Sequence, residues 1–271
     1  MRVMIIDSGM PRNRGSSYIH TFIGLDGVQT TEFETKKRNE LAQYGVYRVF
    51  GVATGLSKNL EGFTVNVNSE SYACGYVILA TGSMDVLPPV PGLQYAWGKT
   101  AHNCAYCDAY GVLDREIFVY AQSEYGVIES IKLKSWSQSI TLLTDGSSWL
   151  AQKDRVVLAA HSIKVVETPV SHVSYLAIGN LIDFRDGASL PYDGLFLRPK
   201  SIPRISLSLD LGCSADSDGY IGVDRFGRSE VQGLYVCGDA SGQLFQAIGA
   251  AADGNKAART LHSDHVLKRW S

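Results

Sequence analysis

At 271 residues, with 45% hydrophobic side chains and 27 glycines, the chain has the length for two ordinary domains and the composition of a soluble α/β protein. Its formal net charge of −2 gives no reason to expect a nucleic-acid or anionic-membrane partner. Five cysteines, at 74, 104, 107, 213 and 237, are an odd number and do not form a secreted disulfide framework. No stretch reaches the ~18 apolar residues of a membrane span, and the apolar start is too short for a signal peptide, so a cytoplasmic location is expected.

In chain order, Val3-Met4-Ile5-Ile6-Asp7 reads as a short buried strand that ends on a carboxylate. An acid at a strand tip accepts hydrogen bonds from a ribose in nucleotide-binding α/β folds, and it is equally an ordinary strand end. The glycine/proline loop Ser8–Gly15 follows, then an exposed, charged helix over 30–42. Tyr47–Thr54, Gly62–Asn66 and Ser71–Leu79 alternate as strands, some of them in a β-meander. The last runs into Ala80-Thr81-Gly82, a small-residue turn at which a backbone can approach a ligand closely. Pro88-Pro89-Val90-Pro91-Gly92 then reads as a hinge.

Beyond the hinge lies Cys104-Ala105-Tyr106-Cys107-Asp108, two cysteines spaced for a reversible ring with a carboxylic acid beside them. Ile117–Ala121, a helix over 124–136 and Ser139–Leu143 form a β-α-β unit. Its turn, Ala121-Gln122-Ser123-Glu124-Tyr125-Gly126, keeps one glycine where a dinucleotide fingerprint has three. Asp145 follows the second strand. Further strands are expected at 162–167, 173–176, 181–185 and 194–197, with a second proline-marked hinge at Arg198–Pro203. Finally, Gly233-Leu234-Tyr235-Val236-Cys237-Gly238-Asp239 is a strand with a Gly-Asp turn, leading to a long small-residue helix from about Gln246 to Leu267. An aspartate there can bond a polyol, and the helix start favours anionic groups.

Three readings of the cysteine pair compete. A zinc half-site needs two more ligands; Cys74, Cys213 and Cys237 are solitary, and His102 is too near in sequence to complete a tetrahedron convincingly. No metal is therefore expected. Inert core cysteines fit poorly with the polar neighbours His102, Asn103 and Asp108. A redox pair fits both spacing and surroundings.

In order and spacing, Ile6-Asp7-x-Gly9-x-Pro11-Arg12-Asn13-Arg14, Ala80-Thr81-Gly82, Trp97-Gly98 with Cys104-x-x-Cys107-Asp108, and Gly233-x-Tyr235-x-x-Gly238-Asp239 resemble one family. It is the thioredoxin-reductase-like pyridine nucleotide-disulfide oxidoreductases, which include small-molecule dithiol oxidases of the gliotoxin and holomycin type. The resemblance spans Val3 to about Ala258. It implies an α/β fold with two Rossmann-like, three-layer nucleotide-binding domains, the second inserted into a discontinuous first. The FAD domain would comprise 1–95 and 203–271, and an NAD(P)-type domain, 96–202, would carry the dithiol.

The resemblance further implies a homodimer with Cys107 facing the flavin, Cys104 exchanging with substrate and Asp108 protonating the outgoing thiolate. Asp7 would hold the adenosine ribose, Asp239 the ribityl chain, Ala80–Gly82 the close approach of backbone, and Gln246-Ala247 the flavin edge. Measured against the family, the chain starts at what would be the second strand, without the first β-α unit and its G-x-G-x-x-G turn. A residual nicotinamide site would use Ala121, Ser123, Gly126 and Asp145, with NADH favoured over NADPH because a carboxylate repels a 2′-phosphate.

The expected function is flavin-dependent thiol–disulfide exchange with a small protein such as thioredoxin or with a small dithiol. Electrons would go to or from NAD(P)H, oxygen or another carrier. The alternatives are a scaffold or regulatory descendant with impaired FAD and NAD(P)H binding, and a truncated product of a normal enzyme.

Overall fold

A computed structural model describes residues 1–146, 149–242 and 245–268; residues 269–271 of the expected C-terminal segment lie outside them. The α/β class expected from the sequence is the class observed. The chain divides into two compact units, one of residues 1–14, 22–85 and 201–271, the other of 15–21 and 86–200.

The second unit is built on a five-stranded parallel sheet in the order Ala101–His102, Gly194–Leu197, Ile117–Tyr120, Ile140–Leu143, Lys164–Val166. Its central strands, IFVY, ITLL and GLFL, are buried at every position, the unalternating pattern of a parallel sheet covered on both faces. Helices Tyr125–Leu133 and Gln152–Ala160 make the crossovers. The sequence pattern does not announce the second of these. Its nine residues, QKDRVVLAA, bury Leu158 alone, too weak a stripe to read. In the chain, an antiparallel meander of Val170–Ser174, Asn180–Phe184 and Ser189–Tyr192 comes between the strands Lys164–Val166 and Gly194–Leu197.

In the first unit, Met4–Asp7 pairs in parallel with Tyr47–Phe50, and Leu234–Val236 with Val77–Leu79. The parallel pairing is thus in two separate two-stranded pieces among the described residues. Both lie over one apolar cluster that includes Ile6, Val49, Val77, Leu79, Leu234 and Val236. A three-stranded antiparallel meander, Ala53–Lys58, Phe63–Val67 and Glu70–Cys74, buries Leu56, Phe63, Val65 and Val67 in the same cluster. The runs that read as single strands at 47–54 and 71–79 are each two strands, broken at Gly51-Val52 and at Gly75-Tyr76. The proline-marked segment that reads as a second hinge contains a strand, Lys200–Pro203. Proline tolerates that place because an edge position leaves its missing N–H unneeded.

Helix Ala247–Leu267 is fastened at its far end by a hydrogen-bond network. Arg228 donates two bonds to Asp264 (Nε–Oδ2 and Nη2–Oδ1, both 2.7 Å), and the Tyr235 hydroxyl donates a third at 2.7 Å.

Candidate redox and nucleotide sites

The cysteine pair sits where the Ala101–His102 strand gives way to the one-turn helix Ala105–Asp108. Ala105 and Ala109, four residues apart, are buried in the core cluster with Ile117 and Phe196. That face points inward, so Tyr106 and Tyr110 turn to solvent at 63% and 78% exposure, while Cys104, Cys107 and Asp108 are half-buried. Cys104 and Cys107 are joined in a disulfide with their Cα atoms 5.3 Å apart. The Cys107 N–H donates to Cys104 Sγ at 3.1 Å. An amide aimed at that sulfur favours its thiolate once the bridge opens. Asp108 is reached by His102, whose Nδ1 lies 3.2 Å from Oδ1.

The other cysteines offer no comparable chemistry. Burial, with Asp253 nearby, pushes the Cys237 thiol up to about 11, and burial also raises Cys74; Cys213 is buried.

The turn Ala121–Gly126 of the second unit follows the strand Ile117–Tyr120 and leads into the helix Tyr125–Leu133. Gly126 is needed for packing: a Cβ there would stand 2.6 Å from Ala121 Cβ and 2.9 Å from Leu142 Cδ1. Ala121 and Ser123 sit in the turn without positive φ, so the missing glycines strain nothing. Asp145 follows the neighbouring strand at φ +53, and its carboxylate is heavily engaged. Oδ2 accepts from the Tyr120 hydroxyl at 2.6 Å and from Gln122 Nε2 at 2.9 Å, and Oδ1 from the Val170 N–H at 2.7 Å. Burial, then Asp145, raises the Tyr120 phenol, which stays a donor. A cleft of about 410 Å³ opens here, lined by Pro89, Pro91, Tyr120, Gln122, Asp145 and Arg185 among others.

In the first unit, the Ala80-Thr81-Gly82 and Gly238-Asp239 turns leave adjacent parallel strands at the same edge. Gly82 is at φ +68, and a methyl group on its Cα would meet nothing within 4 Å; one on Gly238, at φ +65, would meet only Ala250, at 3.5 Å. Both turns therefore let a flat ligand approach the backbone. The Thr81 hydroxyl is committed, donating to the Arg204 carbonyl, and Ala80 is exposed. Asp7, at its own strand end, accepts from the Gly9 N–H at 2.8 Å and from Arg48 at 3.4 Å, and is 38% exposed. Gln246 and Ala247, half-buried, begin the long helix. This set fits the sugar and ring portions of FAD: two strand-end carboxylates, two open glycine turns and a helix start. No G-x-G-x-x-G turn for the pyrophosphate is present in these 271 residues.

Sequence reasoning assigns no role to Arg12, although it lies within the first motif. Arg12 forks onto Asp85 (Nε–Oδ2 2.9 Å, Nη2–Oδ1 2.6 Å) and reaches Asp239 Oδ2 at 2.8 Å, with its guanidinium 5.1 Å from the centre of the Phe245 ring. Burial works against its charge, but the bonds to Asp85 and then Asp239 outweigh it and the pKa rises. Pairing across 73 and 227 residues has no local signature.

The chain is similar to proteins of known family. A 24% identity over 266 residues links the chain to a thioredoxin reductase of Listeria monocytogenes serovar 1/2a, covering 94% of this chain and 83% of that one. Thioredoxin reductase tcpT of Claviceps purpurea is 26% identical over 270 residues, covering 94% and 84%. Among solved structures, the crystal structure of HlmI superposes with a TM-score of 0.93 at 28% identity, covering 99% of this chain and 86% of that one. The sequence profile of the pyridine nucleotide-disulphide oxidoreductases matches residues 2–254, so the chain belongs to that family, in its thioredoxin-reductase-like group.

Proposed function

We propose that this oxidoreductase exchanges electrons between a bound flavin and a dithiol or disulfide substrate through Cys104 and Cys107. The observation that carries the reading is the bridged, half-exposed pair with Asp108 directly after it. When bound, FAD supplies a two-electron donor and acceptor. Asp7 would hold its ribose, Asp239 its ribityl hydroxyls, and the Gly82 and Gly238 turns, with Gln246 and Ala247, would line its flat face and edge. Cys104, favoured as a thiolate by the Cys107 amide, exchanges with substrate. Asp108 protonates the sulfur that leaves. Exposed Tyr106 and Tyr110 give the substrate an apolar footing beside the pair, which suits either a small protein such as thioredoxin or a small dithiol.

A nicotinamide donor would be read by Ala121, Ser123, Gly126 and Asp145, and the Asp145 charge favours NADH over NADPH. Arg185, in the same cleft, opposes that preference. The resemblance supports a homodimer in the cytoplasm; among the described residues no helix is long and apolar enough to cross a membrane. The scaffold reading draws on the split parallel pairing of the first unit.

The test is the visible spectrum of the protein incubated with FAD under anaerobic conditions. A retained flavin bleached by a dithiol supports the reading, and parallel additions of NADH and NADPH identify the donor. A protein that retains no flavin sinks it and leaves the scaffold.

A further inference from the structure

Asp108 is itself held by a titratable side chain. His102 ends the short edge strand, and its Nδ1 lies 3.2 Å from Asp108 Oδ1. Its side chain is 11% exposed and that of Asp108 22%, so this contact is not a solvated surface pairing. The imidazole also packs against the Phe196 ring, ring centres 5.6 Å apart.

Its electrostatic surroundings are simple. On its own strand and the turn after it the neighbours are Ala101 and Asn103. The strand Gly194–Leu197 offers the uncharged Phe196 ring, and the first charge beyond it, Arg198, lies over the Tyr125 ring, 5.5 Å away. The helix Ala105–Asp108 brings the bridged Cys107 and one carboxylate, Asp108 itself. Among the described residues Asp108 is thus the charged partner of His102.

We propose that His102 is a positioning residue for Asp108, pairing as an imidazolium with one carboxylate oxygen and storing the proton that Asp108 hands to sulfur. This rests on the redox reading of Cys104 and Cys107. The step balances with a dithiol as reductant. A substrate thiolate attacks Cys104 Sγ, the Cys104–Cys107 bond breaks, and its electron pair leaves on Cys107 Sγ. Asp108 gives that sulfur a proton and takes one from the His102 imidazolium. The second substrate thiol then displaces Cys104, closing the substrate disulfide. Its proton returns to the imidazole or to Cys104, so two substrate thiols are oxidised and two protein sulfurs reduced.

A consequence separates this role from mere packing. An imidazolium stores a proton and a neutral imidazole does not, so proton delivery falls as pH rises through the imidazole titration. The test is the rate at which dithiothreitol opens Cys104–Cys107, read by alkylation of the two cysteines and peptide mass across pH 5 to about 9. Rates are corrected for the dithiothreitol thiolate fraction, and the protein is used with and without added FAD.

Wild type should show a corrected rate that declines as pH rises. His102→Asn, which is polar but does not titrate, should keep its rate at neutral pH within about three-fold and lose the decline. His102→Leu should lose roughly ten-fold at neutral pH, less than the roughly 100-fold or more of a group that itself transfers the proton, because Asp108 remains. Profiles for His102→Asn and wild type that superimpose overturn the inference alone. A wild-type disulfide that dithiothreitol does not open at any pH overturns the redox reading and the inference together.

Discussion

Replacing Arg12 by methionine should destabilise the first unit severely, for a reason visible in its partners. The guanidinium makes three bonds, two to Asp85 and one to Asp239, and the three side chains are 18%, 7% and 15% exposed. Methionine fills much of the same volume but leaves two carboxylates facing each other with little access to water. Removing one partner of a buried pair costs ~3–5 kcal/mol, and partial exposure places this site at about 3. For a unit of this size that is a fall of about 6–12 °C in Tm. Arg12→Lys restores a charge but not the fork and should recover less than half of the loss. Arg12→Met combined with Asp85→Asn should recover more than half, because the charge left stranded is gone. Thermal and urea unfolding followed by circular dichroism supply the measurements for a double-mutant cycle. A loss for Arg12→Met below about 0.5 kcal/mol, or a cycle with no coupling, would refute the reasoning: the fork would then be solvated and dispensable.

Other positions give independent checks. Tyr235→Phe deletes a bond to a carboxylate already held by Arg228 and should cost ~1.5–3 kcal/mol, read from urea unfolding. The Arg228 bonds, outweighing burial, hold the Asp264 carboxyl below its ordinary value. Its stabilising share is therefore complete above the unfolded carboxylate range, near ~3.9, and lost as pH falls through the lowered value. The stability curves of wild type and Asp264→Asn should converge on the acid side and stay apart at neutral pH; a constant gap would contradict this. Gly126→Ala forces a methyl to 2.6 Å from Ala121 Cβ and should cost ~1–3 kcal/mol, whereas adding Ala121→Gly should return part of it.

The sequence is most legible where chemistry and local geometry coincide. Cys104, Cys107 and Asp108 are neighbours in the chain, so their grouping needs no knowledge of the fold. The strand ending on Asp7 and the helix from Ala247 carry their own patterns of apolar strand and small-residue helix. Helix Gln152–Ala160 is illegible because one buried leucine does not make a stripe. The break at Gly75 is hidden by β-type residues on both sides. Contacts between distant segments are illegible altogether. The Arg12 fork onto Asp85 and Asp239 is one such contact. The three-donor hold on Asp145 is another: a residue read as a carboxylate that repels a 2′-phosphate is also bonded to three donors of its own unit. His102 stands in plain view, but only the folded chain shows that its Nδ1 lies 3.2 Å from Asp108 Oδ1.

The central claim is that one chain carries two coupled redox centres, a flavin and the Cys104–Cys107 pair. An anaerobic reductive titration of the FAD-loaded protein with dithionite tests it most directly. The account predicts uptake of roughly four electrons per chain, two for each centre, falling to about two when Cys107→Ser removes the disulfide. Wild type and Cys107→Ser that both take up about two electrons would contradict it, because the disulfide would then lie outside the flavin's reach.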